Sequence, residues 1–185
     1  MIDDILDDAE LKMDGAVDHT KDEFARIRTG RANPQLLTDL RVQYYGAPTP
    51  LQQIASVTAP EARILLVSPY DRSALGDIEK AIISGDLGLN PSNDGNVIRL
   101  VIPELTEERR KQFVRVARER AEDGRIGVRN SRRAAKSELE SLQSEGDISE
   151  DELRRAEDDL QKRTDAAVRR IDELLKHKEA ELLEV

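Results

Sequence analysis

Residues 109–136 hold eleven Lys or Arg against three Asp or Glu, a local charge of +8 in a 185-residue chain of formal net charge −9, which leaves −17 for the remainder. Solubility does not require such segregation, because interspersed signs serve it as well. Arg outnumbers Lys in the segment, and a planar guanidinium can meet a phosphate with two parallel hydrogen bonds where an ammonium offers a point charge. A basic stripe on an acidic body predicts a polyanion met by one face. On a helix of about 100° per residue, Lys111, Arg125, Arg129, Arg132 and Lys136 fall within about 40° of Arg118, with Arg115 and Arg133 flanking at about 60°. From Arg118 to Lys136 this strip would be about 27 Å long. Charged strips on helices ordinarily face water, and Glu119, Glu122 and the acidic flanks are available to pair with some of these arginines.

Other residues that could do chemistry carry weaker signals. Asp3, Asp4, Asp7 and Asp8 crowd a helix start, where carboxylates are favourable without any metal. His19 and His177 are the only histidines, and neither stands in a ligand spacing such as His-Glu-x-x-His. Gly85-Asp86-Leu87-Gly88 lacks the Gly-Lys-Ser/Thr that would complete a phosphate loop. Tyr44-Tyr45 has the aromatic surface to stack on bases, but packing in a strand core is the plainer reading. No nucleophile–base pair is recognisable, so the expectation is a binding protein with no catalytic residue, no metal and no cofactor.

The elements that must position the strip follow from periodicity. Composition is 38% hydrophobic, 36% charged and 3% aromatic, with no Trp or Cys, which favours long charged helices with narrow apolar seams. Zero Cys fits a reducing cytosol, and no apolar run approaches the roughly 20 residues of a membrane span. The acidic start resembles no signal peptide, and a cytoplasmic protein is expected. Ile2, Leu6, Ala9, Met13, Ala16, Thr20, Phe24 and Ile27 form one helical seam, expected to end at Thr29-Gly30. Val114, Ala121, Val128, Ala135 and Leu142 form a second, with Ala117 and Gly124 between them. Gly124 falls on the seam and suggests close helix approach, whereas Gly127 points away from it without an evident role. Ser149 with Glu152 is a capping box opening a last helix, whose seam is Leu153, Leu160, Ala167, Leu174 and Leu182. Every proline lies within residues 31–104, where strands are expected at 42–45, 54–58, 64–68 and 97–102, a helix closed by Gly at 73–85, and a turn at 93–96. The predicted fold is α+β in two domains. Residues 1–30 and 105–185 form a three-helix bundle, and residues 31–104 form an inserted α+β domain joined by two strands. Gly30, Arg31, Pro103, Glu104 and Leu105 are the expected hinge.

Five stretches resemble one family. Arg28-Thr29-Gly30-Arg31-Ala32, Tyr44-Tyr45-Gly46-Ala47-Pro48-Thr49-Pro50-Leu51, Asp86-Leu87-Gly88-Leu89-Asn90-Pro91, Leu105-Thr106-Glu107-Glu108-Arg109-Arg110 and Val128-Arg129-Asn130-Ser131-Arg132-Arg133 are similar to those of bacterial ribosome recycling factor, in order and from end to end. The resemblance implies an L-shaped, monomeric translation factor. It would bind the post-termination ribosome and, with elongation factor G and its GTP hydrolysis, split the subunits and release messenger and transfer RNA. It further implies that the bundle lies on large-subunit ribosomal RNA near the inter-subunit bridges. Arg129, Arg132 and Arg133 are the implied RNA contacts; Arg118, Arg125 and Lys136 continue their strip, and Arg28 and Arg31 are further candidates beside the hinge. A helical adaptor that binds only protein is the alternative that periodicity and charge leave open.

Overall fold

A computed structural model describes residues 1–184 of the chain, which divide into two compact units, Met1–Ile27 with the chain from Lys111 onward, and Arg28–Arg110. The first unit is three helices, α1 (Ile2–Ala25), α4 (Glu107–Glu145, its first turn lying in the second unit) and α5 (Glu150–Leu183). The second contains β1 (Arg41–Tyr44), β2 (Ala47–Pro50), α2 (Leu51–Ile54), β3 (Ala55–Glu61), β4 (Ile64–Pro69), α3 (Leu75–Ser84), β5 (Pro91–Asn93) and β6 (Ile98–Val101). A helical bundle and an α+β unit are the architecture that periodicity predicted.

In the bundle, α1 and α5 run parallel, because Arg163 meets Asp7 and Glu10 while Arg170 meets Asp14. Helix α4 runs antiparallel to both, with Gly124 against Thr20, Gly127 against Ala16, Arg118 bound to Glu179 and Lys136 bound to Glu157. Each helix buries a narrow stripe: Leu6, Ala9, Met13, Val17, Thr20 and Phe24 from α1, and Ala156, Leu160, Thr164, Ala167, Ile171 and Leu182 from α5. The stripe of α4 is smaller in volume, with Ala117, Ala121, Gly124, Val128, Ala135 and Leu139 buried. Small side chains let this helix approach its neighbours closely. Thr20 and Thr164, the buried polar residues, donate their hydroxyls to the carbonyls of Ala16 (2.9 Å) and Leu160 (2.8 Å) on their own helices, so neither is left unsatisfied. The capping box at Ser149 is present: its Oγ accepts from the Glu152 amide at 3.2 Å and the Glu152 carboxylate accepts from the Ser149 amide at 2.8 Å.

Three expectations shift within the helices. Helix α1 ends at Ala25 rather than at Thr29-Gly30: Arg26 and Ile27 bond back to Glu23 and Phe24, and Thr29 Oγ1 accepts the Arg31 amide at 3.4 Å. That local bond competes with helix continuation. The seam of α1 uses Val17 in full and Ala16 only in part, and that of α4 uses Leu139 where Leu142 was expected. Gly85 does close α3, but with φ −73°; the left-handed residue is Asp86 at φ +49°. A Cβ on Gly85 would stand 3.0 Å from the Ala81 carbonyl and 3.2 Å from Leu40, so crowding rather than chain reversal favours Gly there.

The second unit packs a four-stranded antiparallel sheet, ordered β3-β4-β6-β5, with the β1-β2 hairpin and α3 around one core. Strands β2 and β5 are not anticipated by the apolar pattern, since they carry Pro48, Pro50 and Pro91. Proline lacks the ladder donor and is tolerated at sheet edges, and both strands are edges. The stretch expected to begin a strand at residue 54 instead closes the short helix Leu51–Ile54. Tyr45 also departs from the core reading. It shares the two-residue turn between β1 and β2 with Gly46, both at positive φ (+49° and +78°), as a turn matching the strand twist requires, and its side chain is 81% exposed. Tyr44 is the half-buried member of the pair, packed against the core.

Two carboxylates brace this unit from its loops. Asp71 accepts from the Ser73 amide at 2.9 Å and from the Tyr44 hydroxyl at 3.3 Å, and Asp94 accepts from the amides of Asn96 and Val97 at 2.9 Å each. These donors, the Ser73 and Val97 amides foremost, hold both carboxyls below the ordinary range. A depressed folded-state value contributes stability above the unfolded value near pH 4, and that contribution disappears as the pH falls through the folded value. Thermal unfolding followed by tyrosine fluorescence reports this unit alone, because all three tyrosines lie in it. Its acid destabilisation below about pH 4 is expected to be shallower in Asp71→Asn/Asp94→Asn than in the parent; equal slopes would remove these carboxyls as the cause.

Candidate nucleic-acid interface

The basic strip lies along the flank where α4 meets α5. Arg118 bonds Glu179 at 2.5 Å, Arg125 bonds Asp172 at 2.6 Å, Arg132 donates to Gln161 at 2.9 Å and Lys136 bonds Glu157 at 3.1 Å. The strip is therefore less naked than its sequence count of +8. Most partners come from α5, far along the chain, where a charge tally of one segment cannot register them. Glu122 adds a second clamp, accepting from Arg125 and Arg129 at 3.0 Å each. Those two guanidinium groups lower its carboxyl from the ordinary value, with Arg125 foremost. Arg125 itself loses solvent, its side chain being 19% exposed, yet the carboxylates of Asp172 and Glu122 outweigh that loss and raise its value. It acts mainly as a tie between helices.

Arg132 and Arg133 differ from these. Arg132 is half-buried, and its Nη1 is bound by the neutral Gln161 amide oxygen while Nε is enclosed without an acceptor. Arg133 is exposed and pairs with no carboxylate among the described residues. Arg129 is 45% exposed and held by Glu122 alone. Arg132 and Arg133 are thus cations of the strip that no carboxylate holds, and Arg129 only shares Glu122 with Arg125. These three are better placed to meet an outside phosphate than Arg118, Arg125 and Lys136, each of which has an acid of its own on α5.

The strip is set in place by close packing behind it. A Cβ on Gly124 would overlap Thr20 Oγ1 and stand 3.1 Å from Ile171 Cδ1, and one on Gly127 would meet the Ala16 Cβ at 3.3 Å. Gly127, without a role in the sequence pattern, is thereby accounted for as a contact with α1.

Arg28, Arg31 and the expected hinge residues all belong to the second unit. Arg28 is exposed and lies beside Gly88, 3.7 Å from the position of a Cβ there. Gly30 is left-handed (φ +77°) and sits against Leu105. Both strands of the connection are tied to the β3–β4 turn. The Ala32 amide donates to Ala62 O at 2.7 Å, the Ile102 amide to Arg63 O at 2.8 Å, and Arg63 bonds Glu104 at 2.6 Å. No cluster of three or more His, Asp or Glu side chains able to hold a metal exists among the described residues, and no described helix is long and apolar enough to cross a membrane. Asp7 and Asp8 of the acidic start are paired with Arg163 and Lys12.

A sequence profile described as ribosome recycling factor matches residues 20–183. The ribosome-recycling factor of Nocardioides sp. is 56% identical over 185 residues, covering all of both chains, and that of Kocuria rhizophila is 58% identical over 183 residues, covering 99% of each. Among solved structures, a solution structure of the ribosome recycling factor superposes with a TM-score of 0.79 at 42% identity, covering 100% of this chain and 98% of the other. A second, the T. thermophilus factor placed with E. coli elongation factor G on the E. coli post-termination complex, gives a TM-score of 0.70 at 47% identity with both chains fully covered. With the profile and the relatives spanning nearly all of its length, the chain belongs to the ribosome recycling factor family.

Proposed function

We propose that this protein binds the ribosome after termination and, with elongation factor G and GTP, splits it into subunits and frees messenger and transfer RNA. The observation that carries the proposal is the full-length relative placed with elongation factor G on a post-termination complex. The chain works as a monomeric, cytoplasmic factor without catalysis of its own, and the driving energy is the partner's GTP. Its bundle docks on large-subunit ribosomal RNA near the inter-subunit bridges through Arg129, Arg132 and Arg133. Gly30, Arg31, Pro103, Glu104 and Leu105 carry the movement of the α+β unit, and Arg28 and Arg31 add contacts beside them. Supporting the docking face is the contrast in charge, with +8 over residues 109–136 and −17 elsewhere, since a factor that must leave after each cycle should adhere by one face only.

The test is a light-scattering assay of subunit splitting with post-termination ribosomes, elongation factor G, GTP and this protein, leaving out each in turn. Splitting is expected only when all are present. Splitting that proceeds without this chain would overturn the proposal.

A further inference from the structure

Arg132 is held differently from every other cation whose partner on the α4–α5 flank is defined. Arg118, Arg125, Arg129 and Lys136 each bond a carboxylate, and a carboxylate that orients a cation also cancels its charge. Arg132 Nη1 instead donates to Gln161 Oε1 at 2.9 Å, and the Gln161 amide nitrogen donates to Asp165 Oδ1 at 2.8 Å. The second bond fixes the first. An ionised carboxylate only accepts, so Asp165 draws the NH2 of Gln161 to itself and leaves the carbonyl oxygen facing the guanidinium. Arg132 Nε is enclosed without an acceptor and Gln161 engages Nη1, so Nη2 is the guanidinium nitrogen that is neither enclosed in this way nor engaged by Gln161.

We infer that Gln161 and Asp165 of α5 are positioning residues for Arg132, holding its guanidinium fixed without neutralising it, so that the whole positive charge is available to a phosphate. The inference rests on the proposed RNA-binding role of Arg132 and adds to it the residues that orient the contact. A bound, uncancelled cation loses less conformational entropy on meeting a phosphate than a free arginine does, and it keeps a charge that an acid partner would have weakened.

The decisive variant is Gln161→Glu in the full chain, because it retains an acceptor at the same length while adding the missing negative charge. Ribosome affinity is measured by sedimentation over a salt series, with circular dichroism melts alongside. Gln161→Glu should fold normally, bind about tenfold more weakly, and show a log–log salt slope shallower by about 0.7, as removal of one phosphate interaction requires. Gln161→Leu, which removes the acceptor without adding charge, should bind about threefold more weakly with an unaltered slope. In an Arg132→Ala background neither substitution should weaken binding further; a further decrease would mean that the introduced carboxylate repels RNA by itself, and would overturn the inference. Arg132→Ala binding weakly while Gln161→Glu binds like the parent would overturn the relay alone. If Arg132→Ala also binds like the parent, the RNA role of Arg132 fails and the relay falls with it.

Discussion

Alanine at Gly124 is expected to destabilise the bundle by about 1–3 kcal/mol, although alanine is the better helix former by about 1 kcal/mol. The added methyl would overlap Thr20 Oγ1 and lie 3.1 Å from Ile171 Cδ1, in contact with both neighbouring helices at once. Neither contact yields cheaply. Thr20 is β-branched and buried, with its hydroxyl bound to the Ala16 carbonyl, so its rotamer is fixed. The glycines of the bundle make a graded series in which the sign changes. Gly15 is exposed in the interior of α1 with nothing within 4 Å of a Cβ, and Gly15→Ala should stabilise by about 0.5–1 kcal/mol. Gly127 stands between the two, with one methyl neighbour at 3.3 Å, and alanine there should change little. Chemical denaturation followed by far-ultraviolet dichroism would order the three. Adding Thr20→Ala to Gly124→Ala should recover part of the stability, because the hydroxyl in the closest contact is gone. Additive destabilisation, or a stable Gly124→Ala, would mean that the helices are not in the register described.

The same glycines mark how far the sequence could be read. Heptad spacing located α4 and put Gly124 on its seam, because burial of a helix face leaves a periodic trace. Gly127 lies off that period, and its contact with Ala16 follows from how α1 crosses α4, which no single helix encodes. In the α+β unit the apolar runs revealed the central strands, while β2 and β5 stayed hidden behind Pro48, Pro50 and Pro91, whose tolerance depends on being at an edge. Charge segregation and helical phasing found the strip. They could not find which of its cations are spent on carboxylates, since Glu157, Asp172 and Glu179 stand on another helix and only the fold brings them across. Gln161 left no trace at all, being one neutral amide whose meaning depends on Arg132 and Asp165 together.

That sorting of the strip leads to the largest functional effect. Arg129→Ala/Arg132→Ala is expected to weaken ribosome binding by about 100-fold or more, taking roughly 1.5–3 kcal/mol for each charge-assisted hydrogen bond removed. The log–log salt slope should become shallower by about 1.4. Stability should fall by no more than about 2 kcal/mol, because Arg129 contributes one exposed ion pair to Glu122, worth about 0–1 kcal/mol, and Arg132 one hydrogen bond to Gln161, worth about 1 kcal/mol. Arg118→Ala is the informative contrast: its guanidinium has Glu179 to itself at 2.5 Å, whereas Arg129 only shares Glu122 with Arg125. At Arg118 a phosphate would have to compete with a full carboxylate, and affinity should fall by less than about threefold. If instead every cation from Arg118 to Lys136 mattered equally, long-range attraction would be the whole of the interaction, and the drop in affinity would track net charge rather than position. Measuring the single variants beside the double one separates the two cases. Docking by placed guanidinium groups predicts a steep gradient from Arg132 toward Arg118, and a uniform electrostatic field predicts none.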